Sequence, residues 1–168
     1  MRGGEKVLEA LLDLYPEATI FTNAYDPDAV SDKIRQHKVV TTFINKLPSV
    51  RRHYQKYLPF MPRALEMLDL QDFDLIISSE SGPAKGIIPR PDALHICYCH
   101  SPMRYIWDQF HVYRSLSGFL TRLVMPGLAH RLRMWDLSAA ARVDYFVANS
   151  SFVAARIHTY CRRNSTVI

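Results

Sequence analysis

The segment LHICYCHSPMRYIWDQF, residues 94–110, joins a strand pattern to a histidine. Its first six residues place aliphatic or aromatic side chains alternately with one histidine and two cysteines, which is typical of a buried strand. His100 follows at once, and Ser101 then predicts the cap of a helix that begins at Pro102, with Arg104 one turn beyond the histidine. A lone histidine is usually a core residue bonded to the backbone, but ligands bind at the carboxyl ends of parallel strands, so His100 and Arg104 are candidates to bind a sugar hydroxyl and a phosphate.

Strand and helix patterns alternate around this segment. Strands are predicted at 18–23, 38–43, 73–79, 93–99 and 144–150, with a further one beginning at Thr166. Helices are predicted at 5–14, 26–36, 51–68, 105–110, 119–141 and 151–163, with breaks at Pro59, at Pro62 and at Pro126–Gly127. Most strands are continuous apolar runs, so the pattern predicts an α/β fold with a Rossmann-like parallel sheet and helices on both faces.

Length and composition limit the class of protein. The 168 residues suffice for one ordinary domain, and 48% hydrophobic residues support a core. No apolar run reaches the roughly 18 residues of a membrane span, and no signal peptide is evident. Three cysteines argue for a reducing cytoplasm rather than a disulfide framework. Zinc ligation by His95, Cys97, Cys99 and His100 lacks the usual spacing, and alternate strand positions explain the cysteines more simply.

The net charge of +5 is unevenly distributed. Residues 33–65 contain eight Lys or Arg and no acid, and residues 109–135 contain four Arg and no acid. This segregation indicates either an anionic partner or a solvated basic face. The candidate contacts with an anionic membrane surface are Arg51, Arg52, Lys56, Arg122, Arg131 and Arg133. No nucleic-acid-binding module is present, so no nucleic acid is expected as a partner.

Two other segments are candidates for ligand contact. Gly3–Gly4 precedes a predicted helix N-terminus, which suits either a phosphate or a plain turn. The segment SSESGPAKG, residues 78–86, places hydroxyls, a carboxylate and Lys85 after a buried strand. It is either one wall of a ligand cleft or ordinary capping and turn chemistry.

Four segments together carry a resemblance to a known family. They are RGGEKVLEALLDLYPEATIFT (residues 2–22), FDLIISSESGPAKGI (73–87), CYCHSPMRYIWD (97–108) and VANSSFVAARI (147–157). In this order they resemble the N-terminal half of a family-four retaining glycosyltransferase, whose GT-B architecture has two Rossmann-like domains facing a cleft. The similarity is greatest to the bacterial mannosyltransferase-like branch that builds surface polysaccharides.

The resemblance implies a role for each candidate residue. Gly3 and Gly4 match the glycine loop against the donor diphosphate, and His100 matches the catalytic histidine that closes on the donor sugar. Ser101 and Arg104 fall on the acceptor side. The implied cleft edge consists of Ser79, Glu80, Lys85, Asn149 and Ser150.

The resemblance also implies an activity. It is transfer of a hexose, with mannose as the first expectation, from GDP-mannose or a UDP-sugar to a lipid-linked saccharide or polysaccharide, with no metal or other cofactor. The expected location is the cytoplasm, peripheral to the inner face of the membrane. Residues 1–168 then form the acceptor-side domain, truncated at both ends. The family's first strand and its C-terminal domain with the E-x7-E motif are lacking, so this part alone is expected to be inactive. The alternative is a non-catalytic basic module that binds a membrane surface.

Overall fold

The computed structural model describes residues 3–168 and divides the chain after Leu68 into two compact units. The first unit contains α1 (Gly3–Leu14), β1 (Ile20–Thr22), α2 (Asp32–Arg35), β2 (Val39–Thr41), α3 (Val50–His53) and α4 (Met61–Glu66). The second contains β3 (Leu75–Glu80), β4 (Leu94–Cys99), α5 (Phe110–Ser115), α6 (Phe119–Ala141), β5 (Tyr145–Ala148), α7 (Ser151–Cys161) and β6 (Ser165–Val167). Every strand pair is parallel, which confirms the α/β class.

In the first unit, β1 and β2 form a two-stranded sheet with Ile20 opposite Val39. A small core of buried side chains lies among the segments that follow β2; its members are Ile44, Val50, Met61 and Ala64. The predicted 51–68 helix is interrupted as expected, although Pro62 lies within the first turn of α4, where a proline is tolerated, and does not break it. The segment Tyr54–Phe60, which contains Pro59, forms a 3₁₀ helix between α3 and α4, so no continuous α-helix spans these residues.

The predicted helix at 26–36 is wrong over its first half. Asp26 begins a turn instead, in which its carboxylate accepts from the backbone N–H of Asp28 at 3.3 Å and its carbonyl accepts from Ala29 at 3.1 Å. Aspartate before proline favours such a turn as readily as a helix cap. The helix is therefore limited to Asp32–Arg35.

The second unit has a four-stranded parallel sheet in the order β3-β4-β5-β6. The register pairs Glu80 with Cys99, Cys99 with Ala148 and Ala148 with Val167, so the carboxyl ends of all four strands lie at one edge. On β4 the buried positions are those of the histidine and the cysteines, while the aliphatic and aromatic positions are partly exposed or exposed. The core on this side joins the cysteines to the inner face of α7, with Val153 and Ile157.

The long helix α6 contradicts the predicted break at Pro126–Gly127. It runs for 23 residues without interruption. Proline removes the N–H that would bond the carbonyl four residues earlier, at Arg122. The Nε of Arg114 donates to that carbonyl at 3.3 Å, which replaces the lost bond from outside the helix. The predicted helix at 105–110 is also wrong, because these residues form turns and α5 begins only at Phe110.

Gly86 is expected to tolerate no side chain. A Cβ at this position would come within 2.0 Å of the ring of Trp135 on α6. Gly86→Ala is therefore predicted to lower the free energy of unfolding of the second unit by about 1–3 kcal/mol through overpacking. The chain's two tryptophans, Trp107 and Trp135, both lie in this unit, so denaturant unfolding followed by tryptophan fluorescence measures the effect.

Gly82 supplies the matched control. A Cβ there meets no atom within 4 Å, so Gly82→Ala should stay within about 0.5 kcal/mol of the parent. Equal stability of the two variants would contradict the close approach of Gly86 to α6.

Candidate functional site

The candidate site lies at the carboxyl edge of the second unit's sheet, where β3 and β4 end. The backbone N–H of His100 continues the strand pairing and donates to the carbonyl of Glu80 at 2.7 Å. The Nε2 of His100 lies 2.9 Å from the hydroxyl of Ser79, and its ring meets Tyr98 edge-on at 5.0 Å. The structure thus brings together two residues that the sequence separates by 21 positions.

His100 is half-buried, and burial lowers its pKa below the usual value. It is therefore neutral at pH 7, when one ring nitrogen donates and the other accepts. Of the two ring nitrogens of His100, only Nε2 has a hydrogen-bond partner within the described part of the chain. Nδ1 therefore remains available for a ligand hydroxyl. It accepts a hydrogen bond when Nε2 carries the proton, and it donates one when Nε2 does not.

The segment after His100 differs from the predicted helix. Residues 101–103 have no regular structure, and Met103 is fully buried. Ser101 does not cap a helix, because its hydroxyl donates to the carbonyl of Pro102 at 3.0 Å. Arg104 is exposed in the following turn, so its predicted position one helical turn from His100 is wrong. Pro102 and Met103 are both buried in the core, and residues 101–103 adopt an irregular conformation in place of the predicted first helical turn.

Glu80 and Lys85 lie in the interior rather than at a cleft edge, which corrects the sequence prediction. Both side chains are 1% exposed. The ammonium of Lys85 lies 2.6 Å from Oε1 of Glu80 and also contacts Oδ1 of Asp136 on α6. Oε2 of Glu80 accepts from the backbone N–H of Lys85 at 2.7 Å. Oδ2 of Asp136 accepts from Nε1 of Trp107 at 2.9 Å. We call Glu80, Lys85, Asp136 and Trp107 the buried ion cluster.

One cation between two buried carboxylates sets the protonation of the buried ion cluster. Burial raises the pKa of Glu80 to about 7, against the opposing attraction of Lys85. Burial also disfavours the charge of Lys85, but the two carboxylates outweigh it and raise the pKa of Lys85 well above its ordinary value. The ammonium stays charged, and because burial penalises the Glu80 carboxylate and Asp136 adds a second negative charge, the cluster takes up a proton near neutral pH.

Two more predicted cleft residues follow β5 at the same sheet edge. The hydroxyl of Ser150 accepts from the backbone N–H of Val153 at 3.3 Å and caps α7. Asn149 is exposed, and its Oδ1 accepts from Ser150 at 3.4 Å. Because Ala148 pairs with Cys99, both residues lie one strand away from His100 along the edge.

Gly3 and Gly4 lie in the first turn of α1, not ahead of it. Open space surrounds the position where a Cβ of Gly3 would lie. Both glycines belong to the first unit, so their predicted contact with a donor diphosphate remains a prediction.

The predicted basic residues differ in their surroundings. Arg51, Arg52 and Lys56 are exposed in the first unit, where Arg51 lies 3.5 Å from Asp26. Arg122 and Arg131 are exposed on α6. Arg133 is engaged internally instead: its Nε donates to the carbonyl of Ile106, and its guanidinium lies over the rings of Trp107 and Phe110.

Sequence reasoning missed the residues that fix the segment after His100. Asp108 pairs with Arg156 of α7 at 2.7 Å, and Trp107 stacks on Tyr160 with ring centres 5.0 Å apart. Asp136 was missed as well. The available signal was its isolation, since it is the first acid after Asp108 and follows a basic tract.

His95 is a second buried histidine with a structural role. Its Nε2 lies 2.9 Å from the hydroxyl of Ser78, its Nδ1 lies 3.3 Å from the carbonyl of Arg142, and its backbone N–H donates to Asp144 at 2.8 Å. Residues 3–168 contain no group of three His, Cys, Asp or Glu placed to hold a metal. None of their helices has the length and apolar character needed to cross a membrane.

The parallel sheets and the helices that alternate with their strands agree with the predicted Rossmann-like α/β fold, in which ligands bind at the carboxyl edge of the sheet. The sequence model of Glycosyltransferase Family 4 matches residues 3–168, nearly the whole chain. The chain therefore belongs to glycosyltransferase family 4, as the resemblance of its four segments implied. Comparison with curated proteins gives no match, and comparison with solved structures gives none. Family membership implies, in general terms, a nucleotide-sugar donor and an acceptor.

His95 is predicted to make the second unit less stable as the pH falls. Burial lowers the pKa of His95 to about 4, from a usual value near 6.5. Between these values the unfolded chain binds a proton that the folded chain does not, so stability is lost as the pH falls from about 6.5 to about 4 and then levels off. The loss is on the order of 3 kcal/mol. Because other groups titrate in the same range, the loss is measured as the difference between the parent protein and His95→Gln in denaturant unfolding at pH 7 and at pH 4.5.

His95→Gln is the control, because an amide can bond Ser78 without titrating. Glu80 acts in the opposite sense, since its raised pKa makes the folded chain bind more protons between about pH 4.5 and 7. Both proteins retain Glu80, so the difference between their pH profiles isolates His95. Identical profiles would show that His95 does not titrate in this way.

Proposed function

We propose that this chain is the acceptor-side domain of a retaining hexosyltransferase. The proposed reaction moves mannose from GDP-mannose, or another hexose from a UDP-sugar, to a lipid-linked saccharide or polysaccharide acceptor. The observation that carries the proposal is the neutral, half-buried His100 tied to Ser79 at the carboxyl edge of the sheet. In an open α/β sheet this edge is where ligands bind.

A neutral imidazole suits a sugar better than a charged group would. His100 offers one nitrogen to Ser79 and keeps the other for a hydroxyl of the transferred sugar, which fixes the sugar's orientation. In a retaining transfer the diphosphate leaves from the face where the acceptor attacks. The protein's main contribution is to stabilise the departing negative charge with amides and cations.

Other residues supply the surroundings in this proposal. The N-terminus of α1, with Gly3 and Gly4, suits the donor diphosphate, because the helix dipole favours an anion there and glycine lets it approach closely. The exposed Arg104, with Ser101 close by in sequence, suits the acceptor side. The exposed Asn149 suits the edge of the ligand cleft. A C-terminal domain would hold the nucleotide, and no metal or further cofactor is invoked.

The proposed site of action is the cytoplasmic face of the inner membrane, where lipid-linked acceptors for surface polysaccharides are glycosylated. The exposed cations Arg51, Arg52 and Lys56 support an anionic surface as a partner. Each such residue near an anionic bilayer contributes about 1 kcal/mol, weakened by salt. The same features support the alternative function, a basic surface-binding module without catalysis.

His100→Ala is predicted to abolish transfer without loss of the fold. In the protein that contains both domains, we expect a loss of at least about 100-fold in kcat/KM, since an interaction with the reacting sugar is removed. His158→Ala is the matched control, because His158 is exposed on α7, and it should retain full activity. Transfer is measured with a panel of nucleotide sugars, and folding is checked by tryptophan fluorescence.

Two outcomes would contradict this assignment. Full activity of His100→Ala would remove His100 from the reaction, and an unfolded variant would make it a core residue. The absence of transfer with every nucleotide sugar in the parent protein would favour the surface-binding module. The 168-residue chain alone should bind nucleotide sugars with a Kd on the order of millimolar, about −4 kcal/mol, so micromolar binding would contradict a separate nucleotide-holding domain.

A further inference from the structure

The helical hairpin formed by α5 and the beginning of α6 exposes an unusual number of large apolar side chains. Leu116 is 82% exposed, Phe119 81% and Leu120 75%. We call this set the hairpin tip; it comprises Val112, Leu116, Phe119, Leu120, Leu123 and Val124. Single exposed apolar residues are ordinary, but six within 13 consecutive positions mark a surface that binds something.

The helical repeat collects these side chains on one side. At 3.6 residues per turn, Phe119, Leu120, Leu123 and Val124 fall within an arc of about 140°. Thr121 and Arg122 fall on the opposite side of the same two turns. The beginning of α6 is therefore amphipathic, yet it buries none of these four apolar residues within the described chain.

The hairpin is held in shape by its own hydrogen bonds. The guanidinium of Arg122 donates to the carbonyl of Ser115 at 2.9 Å, and Arg114 donates back to the carbonyl of Arg122 at 3.3 Å. The hydroxyl of Ser117 donates to the carbonyl of Tyr113 at 2.7 Å. The two arginine bonds join α5 to α6 across the turn, and the serine bond stabilises the end of α5, so the apolar side chains are presented on an ordered element.

The charge around the hairpin tip indicates the nature of its partner. Residues 109–135 contain no acid, and Arg114, Arg122 and Arg131 all lie in this tract. Apolar side chains in a tract whose charged residues are all arginines match a partner that is apolar in its interior and anionic at its surface. An anionic lipid bilayer has this order of layers, with acyl chains beneath negatively charged headgroups.

We propose that the hairpin tip inserts into the headgroup and acyl boundary of an anionic bilayer. The contact is a shallow insertion of apolar side chains, with the arginines held at the level of the headgroups. It rests on the membrane location in the proposed function and deepens it, because it assigns the contact to burial of apolar side chains as well as to charge. Vesicle binding tests it without any sugar transfer, so its failure leaves the transferase proposal standing.

The test is co-sedimentation with vesicles of phosphatidylglycerol and phosphatidylcholine, compared with phosphatidylcholine alone. The double variant Leu120→Ser/Leu123→Ser should lower partitioning onto anionic vesicles by at least about 100-fold, since each leucine contributes roughly tenfold or more when buried. Phe152→Ser is the matched control, because Phe152 on α7 is 70% exposed, as Leu123 is, and lies outside the hairpin. It should bind as the parent protein does.

High salt separates insertion from charge attraction alone. The parent protein should keep a measurable part of its binding at 0.5 M salt, while the double variant should be released completely, because salt screens only the arginines. Phe119→Trp should in addition be quenched by lipids brominated on the acyl chain. Unchanged folding of every variant is checked by the fluorescence of the native tryptophans in denaturant.

Three results would overturn the proposal. The double variant could bind anionic vesicles as tightly as the parent protein, or a tryptophan at position 119 could escape quenching. The parent protein could also form a dimer in sedimentation equilibrium without lipid that Leu120→Ser/Leu123→Ser converts to a monomer. That last result would assign the hairpin tip to a second copy of this chain.

Discussion

The second unit depends on one interaction, the contact of the Lys85 ammonium with the carboxylates of Glu80 and Asp136. A buried charge is costly unless it is paired and hydrogen-bonded, and here every partner comes from a different part of the unit. Glu80 ends β3, Lys85 lies in the following turn, and Asp136 lies on α6. Asp136 also accepts from Trp107, in the segment that follows His100. The cluster therefore joins four segments at a single point.

The buried ion cluster holds the residues of the candidate site in position. The carbonyl of Glu80 accepts from the backbone of His100, while the side chain of Glu80 is fixed by Lys85. Ser79, the neighbour of Glu80, bonds the His100 ring. Residues that contact the ligand would thus be held by residues that do not, which is how preorganised sites are built. Gly86 belongs to the same arrangement, because its missing side chain lets Trp135 of α6 approach the turn that contains Lys85.

The sequence predicted the strands well because their signal is local. All six strands were placed near their observed positions, whereas the deeper burial of the histidine and cysteine face of β4 was not predicted. The interruption of residues 51–68 was also predictable, since a proline lacks an N–H wherever it stands. The continuity of α6 was not predictable, because the donor that replaces the missing N–H comes from Arg114 on another helix. Long-range partners of this kind leave no trace in the local pattern.

The site was predicted in part for the same reason. His100 could be placed at a sheet edge from the strand that precedes it, and its pairing with Ser79 follows from the parallel register of β3 and β4. In the sequence, Glu80 and Lys85 look like part of an exposed polar turn. They are buried only because α6 packs over this turn and places Asp136 against Lys85. Arg104 was misplaced because burial of Met103 overrode the helical pattern after Ser101.

The unfolding free energy of Lys85→Met tests the central claim most directly. Removing the ammonium leaves two carboxylates buried without a cation, so the account predicts a loss of about 3–5 kcal/mol. Asp92→Asn breaks the exposed pair of Asp92 with Arg90, at 2.9 Å in the same unit, and should cost no more than about 1 kcal/mol. If denaturant unfolding followed by tryptophan fluorescence finds Lys85→Met as stable as Asp92→Asn, the buried ion cluster does not hold this unit together.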